Sequence, residues 1–299
     1  MNYYDEIKNK LINNEIYKQI KNYSKNKNDL STYYEVGRLL IEAQGGEKRA
    51  KYGDNLIKEY STKLSNELNK KYTYTYLSRM RQFYILFKNI APPAQLSWSH
   101  YQELLSIKDI NVINYYIEIC IKYNLSRNKL REKIKSKEYE RLSDNTKNKL
   151  ITNTKLEIQD LVKNPIIINN PSNKEILTEK TLKLLILEDI DNFLKELGDG
   201  FSYIANEYKI KIGNTYNYID LLLFNIKFNC YVVIELKITE LKKEHIGQIQ
   251  VYMNYINNNL KTIYHDNTIG IIITKKDNKY IIEYSSDPRI YTTNYEINE

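Results

Sequence analysis

Apolar residues recur at three- and four-residue spacing through the first half of the chain, the period of helices with one buried face. Over residues 1–23 this places Ile7, Leu11, Ile16 and Ile20 as core contacts. The polar stretch Ser24 to Asp29 is expected to break that helix. A second helix then carries Tyr33 to Ile41 and ends at Gly45-Gly46, where left-handed backbone geometry costs glycine little. Leu56, Ile57, Tyr60, Leu64 and Leu68 mark a helix over 54–70, and another is expected over 75–88 with Phe83 and Tyr84 packing inward. Pro92-Pro93 interrupts the series. Ser97 or Ser99 is placed to cap the next helix, a further one covers 112–122, and Ser126 caps a basic helix through Arg127, Lys129, Arg131, Lys133, Lys135 and Lys137.

Periodicity fades over 143–175, a polar, Asn-rich stretch with Pro165 and Pro171 as breakers. The organisation expected is a helical domain over 1–145, a linker over 146–175 and a second domain over 176–299. In that second domain Thr178 caps a helix over 179–197, ended by Gly198 and Gly200. The pattern then turns to strands: 201–212, a tight turn at Gly213-Asn214, a run ending at Asp220, a polar segment over 225–229, and Tyr231-Val232-Val233-Ile234. A helix carrying Gln248 and strands over 269–274 and 280–284 complete the order. Helix, three strands, helix and strand make an α/β core around a mixed sheet. The helical N-terminal domain is compatible with a winged-helix or other helix-turn-helix arrangement.

Composition adds where the chain works. Two distant cysteines, Cys120 and Cys230, and three scattered histidines give neither a disulfide framework nor zinc spacing, which fits a reducing cytoplasm. No apolar run approaches the roughly 18 residues of a membrane span, and the opening residues lack a signal peptide's apolar core, so a soluble chain with no membrane partner is expected. The net charge of +8 is uneven: 28 basic against 17 acidic residues over 1–150, a balance of +11, and 17 against 20, or −3, over 151–299. Attraction for a polyanion therefore belongs to the first half. Lys48, Arg49 and Lys51, then Arg79 and Arg81, then Arg127, Lys129 and Arg131 are the candidates for phosphate contact. Trp98 could stack on nucleic acid, but at a helix start it reads first as a packing anchor, and His100 as structural.

The chemistry concentrates around two strands. Side chains alternate across a strand, so Glu235 and Lys237 share one face while Leu236 takes the other. If the 225–229 hairpin turns midway between Lys227 and Phe228, Asp220 falls opposite Glu235, with Cβ atoms about 4.5–5.5 Å apart. Two carboxylates at that distance repel unless a cation sits between them. Mg²⁺ suits the pair, since it takes hard oxygen ligands, one or two of them carboxylates, and meets water and phosphate at its other positions. Lys237 beside it could orient or deprotonate an attacking water, or neutralise charge on phosphorus.

Asp220 followed by Glu235-Leu236-Lys237 resembles the PD-(D/E)xK nuclease superfamily, and Gln248 and Tyr252, at i and i+4 on one helix face, match the Gln-x-x-x-Tyr element of several of its branches. Ile219-Asp220-Leu221-Leu222, Ile234-Glu235-Leu236-Lys237, Gly247-Gln248 and Asn267 to Ile272 look like successive landmarks of the YhcG-type PDDEXK nuclease family. Tyr34 to Arg38, Arg49 to Gly53, Met80 to Tyr84 and the segment around Trp98 resemble that family's N-terminal domain. The resemblance implies a restriction-endonuclease-like core and a Mg²⁺-dependent endonuclease acting on DNA, with Mn²⁺ able to substitute and a homodimer compatible. Asp220 and Glu235 would hold the metal, with Glu188 resembling the acidic residue of the first core helix, Asp189 and Asp191 being rivals. Lys237, Gln248 and Tyr252 would complete the catalytic set. Defence against foreign DNA and recombination or repair are associations of the family. A DNA-binding accessory protein that no longer cuts and a toxin-type RNA nuclease are the alternatives, because a metal site reads phosphate and not sugar.

Overall fold

The structure, a computed structural model, describes residues 3–46, 54–171, 173–176, 178–278, 281 and 287–298, with side chains from residue 16 onward except 17 and 18. It divides into two compact units, residues 1–137 and 138–299. Among the described residues no helix is long and apolar enough to cross a membrane.

The first unit is helical: α1 (Tyr3–Ala43), α2 (Asp54–Glu67), α3 (Tyr74–Phe87), α4 (Trp98–Leu104), α5 (Ile110–Tyr123) and α6 (Arg127–Lys135). No strand occurs among its described residues, so no wing accompanies the helices there. The expected break over 24–29 is absent, and α1 runs through it. That stretch contains neither Pro nor Gly, so no backbone donor is lost, and its asparagines are only mildly unfavourable in a helix. Asn26 Nδ2 also donates to the Ala94 carbonyl at 3.2 Å, a use for a polar side chain inside a helix. Ile16 and Ile20, expected in the core, are 49% and 61% exposed, and among the described side chains of α1 the first buried one is Leu30. The side chains of Ile7 and Leu11 lie outside the described residues.

The core of this unit forms where α1 meets α3, with Leu40, Ile41, Leu77, Met80 and Phe83 buried. Trp98 is buried against the rings of Tyr33, Tyr76 and Phe83 and is a packing anchor. His100 is structural. Its Nε2 lies 3.0 Å from the Leu125 carbonyl, which can only accept, so that nitrogen carries the proton and Nδ1 accepts from the Ser97 backbone N–H at 3.3 Å.

Caps agree with the sequence at Ser126, which accepts from Lys129 N, and at Thr178, which accepts from Thr181 N. Glu103 in α4 accepts from both Arg127 and Arg131 of α6, and these guanidinium groups hold its carboxyl down at about 2. With a folded value below the ordinary 4.5, the contact stabilises above that ordinary value and is lost as pH falls from 4.5 through 2. Glu103→Gln is therefore expected to lower the thermal midpoint by roughly 2–4 °C at neutral pH. Calorimetry across pH should show the gap to wild type closing as pH falls toward about 2; a pH-independent gap would contradict the assignment.

The second unit begins with α7 (Asp144–Ile151), a short 3₁₀ turn (Ile158–Leu161) and β1 (Ile166–Asn169), all within 143–175, the stretch where periodicity fades. The three consecutive isoleucines Ile166, Ile167 and Ile168 gain from burial, and β1 joins the sheet in parallel with the last strand, with Ile166 opposite Tyr295. Then come α8 (Glu179–Glu188), α9 (Ile190–Leu197), β2 (Phe201–Ile212), β3 (Thr215–Asn225), β4 (Cys230–Glu240), α10 (Lys243–Asn259), β5 (Ile269–Lys276) and β6 (Ile290–Asn298). The single helix expected over 179–197 breaks at Asp189. Its carboxylate accepts from Asn169 Nδ2 and Asn192 Nδ2, both at 2.8 Å, and its backbone leaves the helical region. The strand expected over 280–284 falls mostly outside the described residues, and β6 lies beyond it.

The sheet order is β1-β6-β5-β4-β3-β2, parallel from β1 to β4 and antiparallel from β4 to β2. It is the mixed sheet expected. Val232, Val233 and Ile234 of central β4 have no exposed surface, which is why that strand is a continuous apolar run and not an alternation. One face packs on α8 and α9 through Leu182, Leu185, Phe193, Ile234 and Leu236. The other packs on α10 through Val233, Ile249, Met253 and Ile272.

Candidate active site

β3 and β4 are paired only from Leu221↔Ile234 to Asn225↔Cys230. This is the register of a turn centred between Lys227 and Phe228. Beyond it β3 continues against β2 as far as Thr215↔Ile212, and β4 continues against β5 past Lys237↔Thr274. The sheet therefore forks, and Asp220 and Glu235 are the first residues on its two branches. A fork leaves backbone donors without ladder partners. Asp220 Oδ2 takes one of them, accepting from Leu236 N at 3.0 Å, and so ties the branches together at their root.

Glu235 is 2% exposed. Its Oε2 accepts from Lys237 Nζ at 3.2 Å, and its Oε1 is buried with no hydrogen-bond partner. Burial first, then the charge of Asp220, pushes the Glu235 carboxyl up to about 7, with Lys237 opposing. Burial works to lower the pKa of Lys237, yet Glu235, Glu179 and Asp220 outweigh it and hold the ammonium above its ordinary value. Lys237 is thus a fixed cation in this arrangement rather than a base.

Two residues of α8 complete the group, and sequence reasoning assigned them no role. Lys183 Nζ lies 3.3 Å from Asp220 Oδ1 and 2.8 Å from Glu207, and Glu179 lies 3.6 Å from Lys237 Nζ. Glu179 and Lys183 are one helical turn apart, so a single face of α8 presents both. An acid and a lysine four residues apart just after the Thr178 cap was the signal available. Glu188, the residue expected here, sits nine positions beyond Glu179, roughly 13 Å along the axis. It is exposed and paired with Lys174, away from the two carboxylates, because the helix start and not its end meets the fork.

A hard divalent cation fits this donor set. The unpartnered buried Oε1 of Glu235 is costly without a cation, and Asp220 brings a second carboxylate to the same fork. Among the described residues no three acidic, His or Cys side chains form a ready-made cage. Two carboxylates with remaining positions left to water and phosphate are the way Mg²⁺ is usually held.

Residues 159–298 match the family described as the YhcG PDDEXK nuclease domain, and residues 8–141 match the DUF1016 N-terminal domain. The chain thus carries a YhcG-type PDDEXK nuclease domain behind a DUF1016 N-terminal domain. It is similar to the Escherichia coli (strain K12) protein named "Putative nuclease YhcG", at 24% identity covering 81% of this chain and 76% of that one. Among solved structures it aligns with a repair endonuclease from Pyrococcus abyssi at 18% identity and a TM-score of 0.29, covering 43% of this chain and 50% of that chain. EndoMS in apo form aligns at 19% identity and a TM-score of 0.28, covering 42% and 48%. The chain thus spans about half the length of those solved chains.

Gln248 and Tyr252, the other residues expected to serve the YhcG-type site, lie on α10. Gln248 Nε2 donates to the Tyr252 hydroxyl at 3.0 Å on α10, as the i, i+4 spacing requires. Tyr252 is 5% exposed and packs with Ile249 and Met253 on the sheet. Of the basic candidates, Arg127 and Arg131 are paired with Glu103, Lys129 with Glu132, and Arg81 donates to Gln44. Arg79 is exposed on α3, and Lys48, Arg49 and Lys51 lie outside the described residues.

Proposed function

We propose that this chain is a divalent-metal-dependent nuclease that hydrolyses phosphodiester bonds in DNA, with Mg²⁺ held by Asp220 and Glu235 and Mn²⁺ able to substitute. The observation that carries the reading is the buried, unpartnered Oε1 of Glu235 at the fork it shares with Asp220, beside the Lys237 ammonium. When bound, the cation neutralises the carboxylates, attracts phosphate oxygens and makes water more acidic.

The chain's own groups do the rest. Asp220 is held in place by Leu236 N–H and Lys183, so its carboxylate is oriented before any ligand arrives. Lys237 keeps its proton at Nζ and offers an N–H to a non-bridging phosphate oxygen, where charge grows as water adds to phosphorus. Glu179 and Glu235 fix that ammonium from two sides. Gln248 and Tyr252 brace each other and support the site from α10.

Incubating the full chain with linear, nicked, branched and single-stranded DNA and with RNA, in Mg²⁺, Mn²⁺ or EDTA, tests this. Metal-dependent cleavage of DNA is expected. Cleavage confined to RNA would identify a ribonuclease, and binding without cleavage in either metal would identify an accessory protein.

The +11 balance of residues 1–150 supports phosphate contacts in the first half of the chain. Arg79→Gln combined with Lys129→Gln is expected to weaken DNA binding several-fold at low salt. It should also flatten the slope of log affinity against log salt by about 0.9 for each phosphate no longer neutralised. An unchanged slope in fluorescence anisotropy would leave these two residues without that role.

A further inference from the structure

Past the fork, β2 and β3 form a two-stranded ribbon that β4 no longer accompanies. Its two faces differ. Ile210 and Ile219 are buried against the α10 side. On the opposite face of β3, Tyr216 and Tyr218 alternate with Asp220 at i, i+2 and i+4, so the row ends at the candidate active site. Both tyrosines are 53% exposed. Across the ribbon, Lys211 pairs in register with Tyr216 and Lys209 with Tyr218, and both lysines are exposed. Lys209 Nζ sits 3.9 Å from the centroid of the Tyr216 ring and Lys211 Nζ 5.9 Å.

A single exposed ring on a strand is ordinary, but two adjacent rings on one face form a patch of the kind that marks a binding surface. Here they alternate across the ribbon with ammonium groups and lead to carboxylates suited to hold a metal, which calls for a ligand with both flat π-faces and negative charge. Successive same-face residues on a strand are roughly 7 Å apart, close to the reach of one extended nucleotide. In a duplex the bases stack on each other and offer no free face to a ring. In a single strand they do, and stacking tolerates any sequence.

We propose that the β2–β3 ribbon is a platform for single-stranded nucleic acid, on which Tyr216 and Tyr218 stack bases and Lys209 and Lys211 contact phosphates, delivering the strand to Asp220 and Glu235. The inference rests on the nuclease reading and narrows its substrate to a single strand or a strand that has left a duplex.

The test is equilibrium binding by the full chain in EDTA, so that no cleavage occurs, to a labelled oligothymidylate and a labelled duplex of equal length. Tyr216→Ala with Tyr218→Ala should weaken oligothymidylate binding about tenfold or more and leave duplex binding within about twofold. Tyr216→Phe with Tyr218→Phe should bind the single strand like wild type, because the ring and not the hydroxyl stacks. Lys209→Gln with Lys211→Gln should lower the salt slope for the single strand by about 0.7 for each phosphate no longer neutralised. These side chains are exposed, so an unchanged thermal midpoint is expected in all three and checks folding. Equal single-strand affinity in wild type and the alanine variant, or equal losses on strand and duplex, overturns the platform while leaving the nuclease reading intact. If wild type binds neither nucleic acid, the nuclease reading fails and the platform with it.

Discussion

Asp220→Ala, Glu235→Ala and Lys237→Ala are each expected to reduce DNA cleavage by roughly 10²-fold or more while the protein stays folded and still binds DNA. The reason is their position. They stand where β3 and β4 part: the β3–β4 ladder, Leu221↔Ile234 to Asn225↔Cys230, stops short of them, and the pairing of Glu235 and Lys237 with β5 is made by backbone that alanine keeps. Glu235→Ala removes a buried carboxylate that faces a second negative charge, so the metal-free variant should melt no lower than wild type. Lys237→Ala leaves Glu235 without its cation and should melt lower than the glutamate variant. Cleavage time courses and melting curves for the three variants decide it. Wild-type rates in any two of them would remove the catalytic assignment.

Gly37→Ala is expected to destabilise the first unit markedly. Alanine inside a helix ordinarily stabilises by about 1 kcal/mol relative to glycine. At Gly37, however, a Cβ would lie 2.2 Å from the Met80 carbonyl oxygen and 2.8 Å from Tyr84 Cβ. The obstruction is backbone of α3, which cannot rotate away, so α1 and α3 must separate over their buried contact at Leu40, Ile41, Leu77 and Met80. The strain outweighs the helix preference, and a net loss of about 2–3 kcal/mol follows. A denaturant titration reports it directly. A raised midpoint would show that intrinsic helix preference governs this position and that the α1–α3 approach is looser than described.

The hairpin register was legible because it follows from local rules, whereas the fork, where pairing stops one residue short of Asp220 and Glu235, was not. The polar 225–229 segment placed the hairpin, and the hairpin placed Asp220 beside Glu235 without knowledge of any other strand. The helix caps at Ser126 and Thr178 were equally local. What escaped the sequence depends on distant partners. β1 is a strand because β6, more than 120 residues later, lies parallel beside it, and no local pattern names a parallel partner. The continuity of α1 through Ser24 to Asp29 depends on what Asn26 and Leu30 meet, not on how polar the segment is. From sequence the candidate was Glu188, with Asp189 and Asp191 as rivals, and Glu179 was not weighed. Glu179 and Glu188 are both acids on α8, and only the packing of that helix on the sheet shows that its first turn meets Lys237. Lys183 escaped for the same reason, since its spacing from Glu179 marks a shared helix face but not the strand which that face meets.

On the proposed reading, Asp220 and Glu235 form a divalent-cation site whose chemistry Lys237 serves without holding the ion. Calorimetric titration of metal-free protein with Mn²⁺ tests it most directly. Saturable binding is expected in wild type and in Lys237→Met, and its loss is expected in Glu235→Gln. Binding in Glu235→Gln equal to that of wild type would contradict the account.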